Sequence, residues 1–238
     1  MYLAPIPTLS CLDLIRDFKY HLIESYWLVT YQKYREFYEE LSKEDGHYLI
    51  IDNSEGIGHR VEDHVMMEWA DRLCVQEAVI PDINPVKSGD LDGALKSLEL
   101  AKHFKDENQN SKYTFMGVIH GRNLEEAARL LRYFKDDVCG FPNKSFIPRE
   151  ILMQYCNVPP ERRHMLGASS VTELLRLSTR RIARSVDTNM PFRGAASNCH
   201  FMAYTDDRAP KFSPEMKIYR ERASVFLMYL EKALRHDK

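Results

Sequence analysis

The chain has 238 residues, which suits one large hydrophobic core better than two small ones, so a single domain over 1–238 is expected. Its 33 Lys and Arg against 35 Asp and Glu leave a formal charge of −2; this excludes a polybasic carrier acting through bulk charge and leaves room for a local basic patch. Hydrophobic residues at 44% and charged residues at 29% exclude a disordered chain.

Further exclusions follow from the order of residues. No apolar run approaches the roughly 20 residues that span a bilayer, so no membrane partner is expected. The N-terminus lacks the basic-then-apolar order of an export signal. Cys11, Cys74, Cys139, Cys156 and Cys199 are scattered, with no CxxC spacing, which predicts reduced thiols, a cytoplasmic setting and no structural zinc.

In chain order, short apolar runs alternate with longer amphipathic stretches. Residues 1–25 precede the first clear strand and are expected to cap the fold. Tyr26–Thr30 reads as a strand, followed by a helix with Tyr34, Phe37, Tyr38 and Leu41 on one face. Tyr48–Ile51 is a second strand, and Val61, Val65, Trp69 and Leu73 recur at helical spacing. Glu77–Ile80 is a third strand before a helix over Leu91–Phe104, with Leu95, Leu98 and Ala101 on one side. Tyr113–Ile119 and the helix Leu124–Phe134 form the next pair. Val138–Phe141, His164–Leu166 and Ile182–Val186 are further strands, with helices at Ile147–Tyr155 and Val171–Thr179. An eighth strand is expected near Phe201–Tyr204, and a long final helix over 214–236 presents Tyr219, Ala223, Phe226, Leu230 and Leu234.

Repeated strand–helix units call for parallel strands joined by same-handed crossovers. Seven or eight of them predict an α/β fold of the (β/α)₈ barrel type, whose usual length of about 250 residues is close to this one. An open doubly wound sheet is the rival, but no Gly-x-Gly-x-x-Gly follows any strand.

The polar residues fall where the strands stop: Asp52-Asn53-Ser54, Asp82, His120-Gly121, Gly167-Ala168-Ser169 and Asp187-Thr188. In a barrel these positions share the C-terminal mouth, where reacting groups converge. Any one Asp there is equally a helix N-cap, and a lone His a satisfied polar residue. Three acids and a histidine on separate strand ends are harder to explain as caps alone.

Metal has weaker support. His59, Glu62, Asp63 and His64 cluster without HExxH order, as a solvated helix start would, and Cys199-His200 has no partner cysteines. Arg162, Arg163, Arg180, Arg181, Arg184 and Arg193 make the stretch 161–193 locally basic, either as a solvated surface or as a rim that tracks phosphates.

The order of these segments resembles the tRNA-guanine transglycosylases, and more closely their shortened relatives, the DpdA-type DNA transglycosylases of phages and bacterial islands. Ile51-Asp52-Asn53-Ser54 is similar to the family's Asp-Ser/Asn-Gly motif, and Val79-Ile80-Pro81-Asp82 to its Asp after a short strand. Gly117-Val118-Ile119-His120-Gly121 is similar to its Gly-x-x-Gln-Gly, and Met165-Leu166-Gly167-Ala168-Ser169 to its Leu-Gly turn. Asp187-Thr188-Asn189-Met190-Pro191-Phe192-Arg193 resembles its Asp-x-x-x-Pro-x-Arg nucleophile segment. The likeness runs collinearly over about residues 26 to 195. His120 stands in place of the family's Gln, Ser54-Glu55 interrupts the usual glycine pair, and the zinc-binding cysteine module of the tRNA enzymes is absent.

The resemblance implies exchange of guanine in DNA, or alternatively in tRNA, for a 7-deazaguanine base such as preQ0 or preQ1, with no cofactor. Asp187 would be the nucleophile and Asp52 the general acid/base. Asp82, His120, Gly121, Asn53, Gly167 and Ala168 would hold the base, and Arg193 and Arg184 the nucleic-acid backbone. A non-catalytic nucleic-acid-binding barrel and an unrelated barrel acting on a small metabolite are the competing readings.

Overall fold

The computed structural model describes residues 1–168, 170–197 and 210–235. Eight parallel strands form one sheet: β1 Tyr2–Pro5, β2 Tyr20–Glu24, β3 Tyr48–Asp52, β4 Glu77–Val79, β5 Thr114–Val118, β6 Val138–Pro142, β7 Arg163–Leu166 and β8 Ser185–Thr188. Their spatial order is β1-β8-β7-β6-β5-β4-β3-β2. The two end strands, β1 and β2, lie side by side, and the rings of Tyr2 and Tyr20 stack at 4.7 Å across the seam. The result is a nearly closed, single-domain α/β barrel of the TIM type.

Helices follow most strands: α1 Ser25–Thr30, α2 Gln32–Leu41, α3 Asp63–Arg72, α4 Pro85–Ser88, α5 Gly93–Glu107, α6 Leu124–Tyr133, α7 Arg149–Tyr155, α8 Val171–Thr179, α9 Met190–Ala196 and α10 Arg220–Arg235. The α2 face is the one its periodicity predicts, with Tyr34, Phe37, Tyr38 and Leu41 buried at i, i+3, i+4 and i+7. Two helices bury a face shifted from the expected one. α3 turns Met66, Met67 and Ala70 inward and leaves Trp69 half-buried under Arg72, while α5 buries Ala94, Ser97, Ala101 and Phe104 and exposes Leu95. The last helix starts at Arg220, so Tyr219 stays outside it and exposed, while Leu227 joins Ala223, Phe226, Leu230 and Leu234 in the core.

The N-terminus departs most from expectation. Residues 1–25 are not a cap: they contain β1 and β2, and β1 pairs with β8 in the register Leu3↔Val186, Ala4↔Asp187. Tyr26–Thr30 is helical, not a strand. Short apolar runs fit either structure, and here the sheet position goes to Tyr20-His21-Leu22-Ile23-Glu24, all five buried and paired from Tyr20↔Tyr48 to Glu24↔Asp52. The barrel is therefore complete by Thr188; the strand expected at 201–204 lies outside the described residues.

Side chains alternate along each strand, so Tyr20, Leu22 and Glu24 share a face, as do Tyr48, Ile50 and Asp52. Leu22, Glu24 and Asp52 line the mouth. Tyr20 and Tyr48 sit at the opposite end, stacked at 4.7 Å in line with Tyr2. There Arg184 spans the N-terminal end of the barrel to Glu77, with Nη2 donating to both carboxylate oxygens at 2.7 and 2.5 Å. The strand ends are thus sorted by chemistry: an aromatic and ionic plug at the bottom, and acids at the top.

Candidate active site

A cavity of about 580 Å³ opens at the C-terminal ends of the strands. That is within the range of about 300–1,000 Å³ usual for small-molecule sites. Asp52, Asp82 and Asp187 all line it, together with Gly167, Ala168 and Arg193. Asp52 and Asp187 are the last and third residues of β3 and β8, so the sheet itself fixes where their side chains point.

Asp187 is nearly buried, at 5% exposure, and its carboxylate is held from two sides. The Gly167 N–H donates to Oδ1 at 3.0 Å and Oδ2 at 3.1 Å, and His164 Nε2 lies 3.0 Å from Oδ1. Gly167 reaches this position with φ +71°, a left-handed conformation that glycine adopts without strain. A Cβ there would also press on the Asn143 amide at 3.2 Å. The β7–α8 turn is clamped from behind by Arg149, whose Nη1 donates to the carbonyls of Gly167 (2.7 Å), Phe141 (3.2 Å) and Leu166 (3.3 Å). Its Nη2 pairs with Glu173 at 2.5 Å, so the buried cation is both neutralised and hydrogen-bonded.

Asp82 has a different support. His120 is fully buried and sits behind it, with Nε2 at 3.2 Å from Asp82 Oδ2 and 3.3 Å from Ser97 Oγ. His120 therefore stands behind the cavity wall and not on it, one layer deeper than its strand-end position suggests. Asn53 and Gly121 are also off the wall. Asn53 is buried, and its Oδ1 accepts the Glu55 N–H at 3.0 Å, shaping the turn after β3. Gly121 packs where a Cβ would come within 2.9 Å of the Ala127 backbone nitrogen, at the start of α6.

Ser54, one of the two residues at the place of the family's glycine pair, adopts φ +66° and is completely buried. This conformation is costly for a side-chain-bearing residue. Ser54 Oγ accepts the Tyr26 N–H at 3.1 Å, which ties the turn after β3 to α1 and offsets part of that strain.

Of the two expected backbone-binding arginines, Arg193 lines the cavity from α9, and its Nε donates to the Pro210 carbonyl at 2.8 Å. Arg184 is at the other end of the barrel, spent on Glu77 and on Tyr48, whose hydroxyl lies 3.3 Å away. It precedes the first residue of β8, and in a parallel barrel that places it at the bottom.

Glu24 and His164 are not expected here from the sequence. Glu24 ends β2 beside Asp52, is 2% exposed and lines the cavity; reading 1–25 as a cap hid it. His164 lay inside an expected strand, and its i, i+2 relation to cavity-lining Leu166 was the available signal.

Among the described residues no group of three or more His, Cys, Asp or Glu side chains is placed to hold a metal ion. His59 instead stacks on Tyr26 at 4.4 Å, and Asp63 pairs with Arg60. Cys199 and His200 lie outside the described residues. No helix among the described residues is long and apolar enough to cross a membrane.

Fold and cavity together define a TIM-type α/β barrel with a cluster of acids at its C-terminal mouth. No protein-family model matches the chain, and a search of curated proteins finds no match.

Proposed function

We propose that the protein is a glycosyltransferase that exchanges guanine in DNA for a 7-deazaguanine base through an aspartyl–sugar intermediate. The observation that carries this reading is the convergence of Asp52, Asp82 and Asp187 on one cavity, with Asp187 fixed by the Gly167 N–H. The chemistry parallels a retaining glycosidase. Asp187 attacks C1′ as the C1′–N9 bond breaks, and Asp52 supplies the proton that lets guanine leave. The incoming base then gives its N9 proton to Asp52 and displaces Asp187. Because one N-glycosidic bond replaces another, no redox or nucleotide cofactor is required.

Asp82 accepts from the N1–H and amino edge of the guanine ring, and His120 behind it holds that carboxylate in place. Arg193 at the mouth is the group suited to a backbone phosphate. In a duplex, the target nucleotide has to leave the stack to reach the cavity.

The test is incubation of guanine-containing DNA, and in parallel tRNA, with labelled guanine or a 7-deazaguanine, followed by nucleoside mass spectrometry. Label in DNA that Asp187→Ala abolishes is the expected result. Asp52→Asn is expected to slow exchange about 10²–10⁴-fold and Asp82→Asn to weaken guanine binding mainly. Full exchange by Asp187→Ala would refute the covalent mechanism; label in tRNA alone would refute DNA as substrate.

A further inference from the structure

Asp187 is the end of a buried chain of hydrogen bonds that enters from the barrel interior. Ser185 Oγ lies 2.8 Å from His164 Nδ1, and His164 Nε2 lies 3.0 Å from Asp187 Oδ1. Ser185 and His164 are both completely buried. The sheet sets these spacings: Ser185 and Asp187 share a face of β8, and His164 is in register with Ser185 on the neighbouring β7.

The direction of the chain follows from donor chemistry. A carboxylate can only accept, so His164 Nε2 carries the proton that faces Asp187. A ring bearing one proton then leaves Nδ1 to accept from the Ser185 hydroxyl. Oδ1 of Asp187 is occupied by two donors, His164 and Gly167. Among the described residues, Oδ2 receives only the second branch of the Gly167 N–H, at 3.1 Å.

We propose that His164 is the positioning residue of Asp187, that Ser185 sets its tautomer, and that together with Gly167 they pin Oδ1 and present Oδ2 as the attacking atom. This rests on the reading of Asp187 as nucleophile. The C1′–Oδ2 bond forms as C1′–N9 breaks, the electron pair goes to the departing base, and Asp52 supplies its proton. His164 keeps its own proton throughout; it orients the carboxylate and does not take part in the transfer.

The experiment pairs kinetics with a spectroscopic readout on the full chain. Steady-state base exchange is measured with guanine-containing DNA and labelled guanine for wild type, His164→Leu, His164→Gln and Ser185→Ala. Folding of each is checked by thermal melting. His164→Leu is expected to lower kcat about 10–100-fold, with KM for guanine nearly unchanged. His164→Gln, whose amide can place an N–H near the former Nε2, is expected to recover most of that loss. Ser185→Ala should lose less and should mix the two tautomers. In ¹⁵N-histidine spectra, the resonance missing from His164→Gln should belong to a ring protonated at Nε2 and not at Nδ1.

A folded His164→Leu with wild-type kcat, or an Nδ1-protonated ring, overturns the proposal while leaving the transglycosylase reading intact. A wild type that exchanges no base in DNA or tRNA overturns that reading and the role of Oδ2, while the tautomer still decides whether His164 donates to Asp187. If His164→Leu does not fold, Ser185→Ala decides: unchanged kcat with an unchanged tautomer overturns the proposal.

Discussion

The ion pair at the bottom of the barrel offers a stability test whose size follows from geometry. Glu77 is fully buried and the Arg184 side chain is 12% exposed; they meet through two hydrogen bonds of 2.7 and 2.5 Å. The Tyr48 hydroxyl donates to Glu77 at 2.9 Å, and the Arg184 guanidinium lies 5.2 Å from the Tyr48 ring centre. Burial, then the neighbouring Glu77 charge, pushes the Tyr48 hydroxyl well above its ordinary pKa, so it remains a donor. Glu77→Leu strands a cation that little water can reach, and Arg184→Met strands the carboxylate with Tyr48 as its remaining donor. Each single change is expected to cost about 3–5 kcal/mol, whereas replacing both removes the unpaired charge and should cost less than either alone. For a chain of this size that means a fall in Tm of roughly 6–20 °C for each single variant. The assay is a double-mutant cycle by urea denaturation, with circular dichroism and fluorescence checked for coincident transitions. Additive losses below about 1 kcal/mol each would instead show a solvent-screened pair with no buried-charge penalty. Under the proposed function, the same Arg184→Met variant should leave the salt dependence of binding to guanine-containing DNA unchanged, because Arg184 is remote from the mouth.

Three further outcomes are expected. Burial holds His21 neutral, with its pKa lowered from 6.5 to about 3, so the unfolded chain takes up a proton in that window that the folded chain refuses. Stability should therefore fall as pH drops from 6.5 toward 3, by up to about 1.4 kcal/mol per pH unit, and a His21→Gln variant with an unchanged acid limb in its denaturation profile would contradict this. Gly167→Ala forces a side chain into φ +71° against Asn143 and should cost about 1–2 kcal/mol, read by denaturant midpoint; a wild-type midpoint would show that the turn relaxes freely. Arg149→Met removes the 2.5 Å pair with Glu173 and releases three carbonyls around the β7–α8 turn, and should lower stability by about 3 kcal/mol; an unchanged melt would show that the turn does not need the clamp.

The class of fold and three of the site's acids, Asp52, Asp82 and Asp187 but not Glu24, are legible in the order of residues alone. From β3 onward, strands Tyr48–Asp52 to Ser185–Thr188 alternate with amphipathic helices, and that order alone demands a parallel sheet with same-handed crossovers. A parallel sheet in turn sends every strand's C-terminal end the same way, which is why Asp52, Asp82 and Asp187 share one mouth. Tertiary structure decided what local pattern leaves degenerate. Tyr20–Glu24 contains His21 and Glu24 and does not read as a strand, yet a barrel buries both ends of its strands against other strands, so polar residues can sit inside it when paired or turned toward a cavity. For the same reason Tyr26–Thr30, although apolar, became a helix once its neighbour had taken the sheet position.

Depth within the wall was equally illegible. A strand-end position says which end of the barrel a side chain occupies, not whether it touches the cavity or supports a residue that does. His120 stands behind Asp82, Asn53 folds back on its own turn, and Arg184 is drawn across the bottom to Glu77, because each finds its buried partner on an element distant in sequence or on a turn that only the fold creates. His164 shows the converse. The i, i+2 spacing puts His164 on the face of Leu166 but says nothing of its partners, and only the register of β7 against β8 brings it between Ser185 and Asp187, 21 and 23 residues further along the chain.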